Sequence, residues 1–184
     1  MVNFEKKAVL LYETAGILFI ILFGSMLHFT FEWSGNQPII GIFSAVNESV
    51  WEHLKLGFWP TLLYAIIEYS LINKKTKNFF PAKTVATYSI IAVIPAIFYS
   101  YTTITGESIF VIDILSFILA VVIGQLLSYR LLTYKSISDK LEKIALLALF
   151  ILGVAFIVFT FYPPHLPIFQ DPLSSEYGIT NYLH

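Results

Sequence analysis

Residues 43–69 carry ionisable and hydroxyl side chains at helical spacing in an otherwise apolar chain. At about 100° per residue, four of these side chains fall within an arc of roughly 140° on one helix face. They are Glu48, Ser49, Glu52 and His53. Two carboxylates, a hydroxyl and an imidazole on one face are the residue types of general acid–base catalysis and of metal binding. We therefore take this face as the candidate site.

Two further segments can bring ligands to this face. His28 and Glu32 are four residues apart near the end of the preceding apolar helix. A connection of about fifteen residues makes the two helices antiparallel neighbours. The C-terminal tail adds His165 and Asp171. Three neutral imidazoles and a water molecule form a common catalytic zinc site, and mixed sets of histidine and carboxylate suit zinc, iron or manganese.

The sequence thus predicts a site for a divalent metal, with zinc favoured, and a carboxylate as the base that activates water. The predicted metal ligands are His28, His53, His165 and Asp171. The predicted catalytic residues are Glu52 or Glu48 as the base, together with Ser49. The residues predicted to orient the ligands by hydrogen bonds are Glu32, Asn47 and Tyr177.

A structural interpretation explains part of the same pattern. Asn47 is a good N-cap, Ser49 and Glu52 have the spacing of a capping box, and Glu48 in the first turn complements the helix dipole. Capping does not account for His53, because an imidazole near a helix N-terminus gains nothing from the dipole. Because capping explains the other residues of this face, a polar network that only fixes helix packing remains an alternative.

A second pair of carboxylates lies near the other end of the helices. Glu13 and Glu68 are each six residues from a flanking lysine, and they either share a proton or, more simply, each extends to the interface. With Asp113 they suggest a proton or cation pathway. This is the basis of the alternative that the chain is part of a transporter or channel.

Composition decides the class of protein. Of 184 residues, 57% are hydrophobic and only 12% are charged, which excludes an ordinary soluble domain. The absence of cysteine excludes disulfides and thiolate ligands. Basic residues are not interleaved with aromatic ones in a patch, so nucleic acid is not expected as a partner. Membrane lipids are the partners that this composition predicts.

We predict an all-α, polytopic membrane bundle of five transmembrane helices that form a single domain over residues 1–184. Each helix is near the length of about 20 residues that crosses a bilayer. The predicted helices cover residues 8–31, 47–72, 82–104, 108–132 and 141–161. Residues 162–184 are rich in proline but also apolar, which predicts an ordered cap over the ends of the helices.

The basic residues predict the orientation in the membrane, because loops on the cytoplasmic side retain lysine and arginine. With alternating spans, all the basic residues except Lys55 fall on one side of the membrane. This predicts a protein of the cytoplasmic (inner) membrane with its N-terminus in the cytoplasm and its C-terminus outside. The basic residues on the cytoplasmic side are Lys6, Lys7, Lys74, Lys75, Lys77, Lys83, Arg130, Lys135, Lys140 and Lys143. The opposite side then holds the four histidines, His28, His53, His165 and His184.

Four segments, HFTFEWSGN from His28, FSAVNESVWEHLKLGFWP from Phe43, IEY from Ile67 and FYPPHLPIFQDPLSSEYGI from Phe161, carry a resemblance to known proteins. Together they resemble a family of small bacterial multi-pass membrane proteins known only as a domain of unknown function. The resemblance implies a bacterial inner-membrane protein and no particular activity.

The leading functional hypothesis is a metal-dependent hydrolase or transferase that acts on a lipid-like substrate near the outer membrane face. Its residue types are also similar to those of small membrane hydrolases that hold zinc with histidines, an aspartate and a serine, although their spacings and helix count are not reproduced. The alternatives are the transporter described above and an interaction or scaffold protein with a structural polar network.

Overall fold

The computed structural model describes residues 2–73, 76 and 78–179, and the side chains from Lys6 onward. Within these residues the chain forms six α-helices and one 3₁₀ turn, with no β-strand. The helices are α1 (Val2–Trp33), α2 (Pro38–Gly41), α3 (Val50–Ile72), α4 (Phe79–Thr105), α5 (Phe110–Leu132) and α6 (Asp139–Phe161), and the 3₁₀ turn covers Pro167–Phe169. The prediction of an all-α fold is confirmed.

Four of the described helices are long and apolar enough to cross a membrane: α1 from Lys6, α4, α5 and α6. Their outer surfaces expose large apolar side chains, including Leu11, Leu22 and Phe150. These features are those of a membrane protein. The helix predicted at 47–72 is also present, as α3, but it carries two glutamates, a lysine and a histidine, and most of its length is buried among the other helices.

The boundaries of α3 correct one detail of the prediction. The helix begins at Val50 rather than at residue 47, and Ser49 is the N-cap, accepting a hydrogen bond from the backbone N–H of Glu52 at 3.3 Å. Asn47 instead accepts the N–H of Ser49 at 2.9 Å, which forms a turn before the helix. The short helix α2 was not predicted.

α1 and α3 are antiparallel, as expected from their short connection. An added Cβ at Gly24 of α1 would lie 2.5 Å from the carbonyl oxygen of Leu56 in α3. Pro60, four residues later, removes the N–H that would otherwise bond this carbonyl, so the oxygen is free to meet α1. Only glycine permits this close approach of the two backbones.

The described residues form two apolar cores. The first surrounds Phe58 and Phe156, where α1, α3, α4, α5 and α6 meet, and the second surrounds Ile72 and Leu132 near the N-terminus of α1. We call the end of the bundle where α1 ends and α3 begins the cap end. The opposite end, where α1 begins and α3 ends, is the N-terminal end.

The tail folds back over the cap end, as the apolar and proline-rich sequence predicts. Phe169 packs on Trp51 with ring centroids 4.8 Å apart, and Asn47 Nδ2 donates to the carbonyl of Gly178 at 3.2 Å. The N–H of Ile179 also bonds the carbonyl of Thr160 at 3.2 Å. The tail is thus tied to the start of α3 and to the end of α6.

The basic residues used to predict orientation have different surroundings. Lys6, Lys7, Arg130 and Lys135 are exposed at the N-terminal end. Lys83, counted above among the loop residues, is instead buried inside the bundle at 2% exposure. Three further lysines of that set, together with His184, lie outside the described residues: Lys74, Lys75 and Lys77.

Candidate metal centre

Three side chains from three segments meet at the cap end. His28 comes from α1, His53 from the first turn of α3, and Glu48 from the loop just before α3. The two Nε2 atoms of the histidines are 3.1 Å apart. Glu48 Oε2 lies 3.4 Å from His53 Nε2, and its Oε1 lies 3.8 Å from His28 Nε2. We call this group the His–Glu–His centre.

The loop that carries Glu48 is held by its neighbours on both sides. Asn47 bonds Ser49 on one side and Gly178 of the tail on the other. The cap by Ser49 then fixes the direction in which α3 starts. The residues that sequence reasoning assigned to capping therefore also position a ligand, and the structural and functional interpretations are compatible.

The ring of His53 is oriented by a backbone carbonyl. Its Nδ1 lies 2.9 Å from the carbonyl oxygen of Ser49. A carbonyl only accepts hydrogen bonds, so Nδ1 carries the proton and the lone pair of the neutral ring is on Nε2, which faces His28 and Glu48. The same arrangement of a histidine bonded through its second nitrogen is usual among metal ligands.

The spacing of the three groups matches that of metal ligands. Ligands about 2.05 Å from a zinc ion at tetrahedral angles are about 3.3 Å from one another. The distances of 3.1, 3.4 and 3.8 Å in the His–Glu–His centre bracket this value. One ligand atom from each residue also lies within 4.8 Å of the other two, which makes the centre a candidate site for a metal ion.

The centre is open on one side and negatively charged. The side chains of His28, His53 and Glu48 are 31%, 30% and 45% exposed, which leaves room for a water molecule or substrate as a further ligand. When His53 Nε2 carries a proton, it donates this proton to Glu48 in a hydrogen bond that lowers the pKa of the Glu48 carboxyl below its ordinary value. Glu48 is therefore ionised at neutral pH, as a metal ligand must be.

Glu52, predicted as a possible base, has another partner. Its carboxylate lies 2.5 Å from Lys55 Nζ and accepts the backbone N–H of Val46 at 3.0 Å. Lys55 Nζ also donates to the carbonyl of Gly41 and to the hydroxyl of Thr160. Both charged side chains are buried, so this ion pair joins α3 to the loop before it and to α6 rather than serving the centre.

The predicted ligands of the tail lie elsewhere. His165 stacks on Tyr177 with ring centroids 4.5 Å apart. Asp171 accepts hydrogen bonds from the N–H of Leu173 at 2.9 Å and from the hydroxyl of Ser174 at 2.7 Å, which closes a turn of the tail. Among the described residues, the group of converging ligand atoms includes neither His165 nor Asp171.

A cavity of about 260 Å³ lies beside the centre, under the tail. Two of its lining residues are close to the ligands along the chain. Glu32 is one helical turn beyond His28, and Asn47 immediately precedes Glu48. Its lining comes from the end of α1, the loop before α3 and the tail, and includes Phe31, Glu32, Asn47, Asp171, Glu176 and Ile179. The predicted residues Glu32 and Asp171 thus border this cavity rather than the ligand atoms.

The three carboxylates of the suggested proton pathway are separated. Glu13 and Glu68 are buried together at the N-terminal end, and their surroundings are described below. Asp113 lies in the first turn of α5, at the cap end, where it accepts a hydrogen bond from the hydroxyl of Tyr101 at 2.5 Å. Asp113 therefore bonds within the bundle, at the end opposite to Glu13 and Glu68.

Comparison with known protein families gives one match. The model of a family of unknown function, DUF6512, covers residues 2–179, which is nearly the whole chain. The chain belongs to this family. Comparisons with curated proteins and with solved structures find no significant match. Membership in DUF6512 agrees with the resemblance to a domain of unknown function, and all residues of the His–Glu–His centre lie within the matched range.

Proposed function

We propose that this DUF6512 protein is a metal-dependent hydrolase or transferase of the membrane, with its metal held by His28, His53 and Glu48. The observation that carries the proposal is the convergence of these three ligand atoms, with Nε2 of His53 directed at the other two by the bond to Ser49. Two imidazoles and one carboxylate are the protein ligands of many catalytic zinc sites.

The arrangement suits a catalytic rather than a structural metal. Structural zinc sites are closed by four protein ligands, whereas this centre offers three and is partly exposed. A bound ion of this kind supplies a Lewis acid that polarises an ester or phosphoryl oxygen. Glu48 contributes the negative charge, and the fixed ring of His53 preserves the geometry of the centre.

The general base is best assigned to Glu32. Glu52 is excluded from this role by its ion pair with Lys55, and Glu48 is occupied as a ligand. Glu32 is exposed, lies one turn beyond His28 and lines the adjacent cavity. A carboxylate at that place reaches a water molecule in the cavity, which is what a base for hydrolysis requires.

The surroundings favour a lipid-like substrate. The centre lies at the end of helices that expose leucine and phenylalanine side chains along their length, including Leu18, Leu22 and Phe29 of α1. The cavity beside it is lined by both acidic and apolar side chains, and its volume suits a headgroup rather than an acyl chain. We place the N-terminus in the cytoplasm on the basis of Lys6, Lys7, Arg130 and Lys135, so the centre faces the outside of the inner membrane.

Elemental mass spectrometry of the detergent-purified protein tests the proposal. We expect close to one equivalent of zinc or a related metal in the parent, and loss of that metal in His28→Ala and in His53→Ala. His165→Ala is the matched control, because this exposed histidine stacks on Tyr177 and is expected to leave the metal content unchanged. A parent that holds no metal even after reconstitution, or an equal loss in His165→Ala, would refute the assignment.

A further inference from the structure

Three charged side chains from three helices meet at the N-terminal end of the bundle. Lys83 of α4 lies with its Nζ 2.7 Å from Glu13 Oε1 of α1 and contacts Glu68 Oε2 of α3 directly. The hydroxyl of Ser128 in α5 donates to the same Glu13 oxygen at 2.7 Å. All three charged groups are buried, at 2% exposure or less. We call Glu13, Glu68 and Lys83 the buried triad.

The charges of the buried triad do not balance. Two carboxylates face one ammonium group, so full ionisation would leave one net negative charge among helices of membrane-spanning length. An uncompensated charge in such a place is expensive, and ionisable groups there are normally paired. A single positive charge, from a proton or a cation, is needed to neutralise the site.

The hydrogen bonds of the buried triad show where that positive charge is missing. The carboxyl groups of Glu13 and Glu68 lie side by side, because both contact the same Lys83 nitrogen. Yet Glu13 Oε2 and Glu68 Oε1 each have no hydrogen-bond partner within the described residues. Two oxygens that only accept cannot bond each other, whereas one proton turns either of them into a donor and satisfies both.

A neighbouring amide also has no partner. Gln125 is 1% exposed, and neither its oxygen nor its nitrogen finds a hydrogen bond in the part of the chain that the structure describes. It lies one turn before Ser128 on α5, and its amide nitrogen is next to Gly16, one turn after Glu13 on α1. Gln125 thus extends the polar site by one turn. Its amide atoms can hydrogen-bond a water molecule or the proton of a neutral carboxyl group.

Among the described residues, the other groups that face the buried triad carry no charge. The hydroxyl of Tyr64 in α3 donates to the backbone carbonyl of Tyr12 in α1 at 2.5 Å. The ring of Phe79 in α4 lies 5.5 Å from Lys83 Nζ, which adds a weak cation–π attraction. Neither group can neutralise the second carboxylate.

We propose that the buried triad is a binding site for one exchangeable proton, shared between the carboxyl groups of Glu13 and Glu68. Glu13 Oε1 is held as an acceptor by Lys83 and Ser128, so the proton lies between the other oxygens. The site is about 9 Å along α1 from Lys7, which gives the proton a short route to the nearest end of the bundle. The proposal does not depend on the metal centre at the other end.

Infrared spectroscopy of the full-length protein in detergent tests the proposal. At neutral pH we expect a carbonyl stretching band of a protonated carboxylic acid, shifted by ¹³C-labelled glutamate. The band should vanish in Glu13→Gln and in Glu68→Gln. The one remaining carboxylate and the lysine then form a pair with no net charge, which needs no additional proton. It should grow in Lys83→Met, where two carboxyl groups lose their counter-charge. The exposed Glu107→Gln is the matched control and should keep the band unchanged.

The parent spectrum alone decides the matter if the variants fail to fold. Absence of a glutamic acid band in the folded parent at neutral pH would overturn the proposal. So would a band that persists in folded Glu13→Gln and Glu68→Gln. A sodium or lithium ion in place of the proton would give no band and a melting temperature that rises with added salt of that cation in the parent only, and this result would equally refute the proton.

Discussion

The Nδ1 atom of His53 lies 2.9 Å from the carbonyl oxygen of Ser49, one turn earlier, and this contact determines what the other side of the ring can do. Because Nδ1 is committed to the backbone, Nε2 alone faces His28 and Glu48. The carbonyl group of Ser49, the capping residue of α3, thus directs the Nε2 atom of His53 toward the other two ligands. Ser49 therefore serves both the capping of α3 and the orientation of a candidate metal ligand.

The two neighbouring glutamates of this segment are expected to differ in function. Glu48→Gln replaces an ionised ligand by a weak one, so zinc affinity should fall by about tenfold or more. Glu52→Gln should leave zinc affinity nearly unchanged, because Glu52 bonds Lys55 and Val46 instead. Competition with a chromophoric chelator measures both affinities. Equal effects of the two substitutions would contradict the assignment of Glu48.

The buried pair of Glu52 and Lys55 is expected to matter for stability. Lys55→Met removes one partner and leaves a carboxylate buried without its counter-charge, which costs about 3–5 kcal/mol of unfolding free energy. The double variant Glu52→Gln/Lys55→Met should recover part of that loss, because no charge is then buried alone. Unfolding by denaturing detergent, followed by circular dichroism, measures the difference. A single variant as stable as the parent would show that the pair has no structural role.

Gly24 is expected to resist even the smallest substitution. In an ordinary helix Gly→Ala gains about 1 kcal/mol. Here the new methyl group would lie 2.5 Å from the carbonyl oxygen of Leu56, so Gly24→Ala should instead lose about 1–3 kcal/mol as α1 and α3 are pushed apart. Ser25→Ala, at the exposed neighbouring position, is the control. The test fails if Gly24→Ala melts at or above the temperature of the parent.

The pH dependence of stability follows from the lowered pKa of Glu48. A carboxyl group whose pKa is lower in the folded than in the unfolded protein stabilises the fold above its unfolded value, which is near 4.5. This contribution is lost as the pH falls below that value. We expect the melting temperatures of the parent and of Glu48→Gln to converge as the pH is lowered from neutral to about 3. A constant difference across that range would show that Glu48 is not coupled to the imidazoles.

The proposed orientation can be measured directly, because the chain has no cysteine. Ser136→Cys introduces one thiol in the exposed loop between α5 and α6, and Leu173→Cys introduces one in the exposed tail. In intact cells stripped of their outer barrier, a membrane-impermeant maleimide should label Leu173→Cys but not Ser136→Cys. Permeabilised cells should label both. The reverse pattern would invert the predicted topology.

Much of the architecture and part of the centre follow from the sequence alone. The long apolar segments and the short connection between α1 and α3 were enough to predict that His28 and His53 come together, because both are near the same end of antiparallel helices. The order in the tail followed from its aromatic residues, of which Phe169 packs on Trp51. The ring direction of His165 depended on backbone angles of a proline-rich turn, which composition does not encode.

One of the two buried lysines, Lys83, was placed incorrectly for a physical reason. Lys83 was counted among the loop residues and Lys55 was treated as an exception to the pattern of charges. A count of basic residues assumes that lysine seeks water, and it cannot recognise a carboxylate supplied by another helix, as Glu13 is for Lys83. The spacing of Glu52 and Lys55, three residues apart on one helix, was a signal that could have revealed the second pair.

The register of α1 against α3 has a consequence for the surrounding lipid. Residues 13 and 28 are fifteen positions apart, and so are residues 53 and 68, so both helices separate the buried triad from the His–Glu–His centre by about 22 Å. The hydrocarbon layer of a bilayer is about 30 Å thick. Lys7 lies about 9 Å beyond the buried triad along α1, so Lys7 and the His–Glu–His centre are separated by about one hydrocarbon layer, and the triad lies within that layer. We therefore expect a bilayer of ordinary thickness to surround this protein without local thinning, with headgroups at the level of Lys7 on one side and of the His–Glu–His centre on the other.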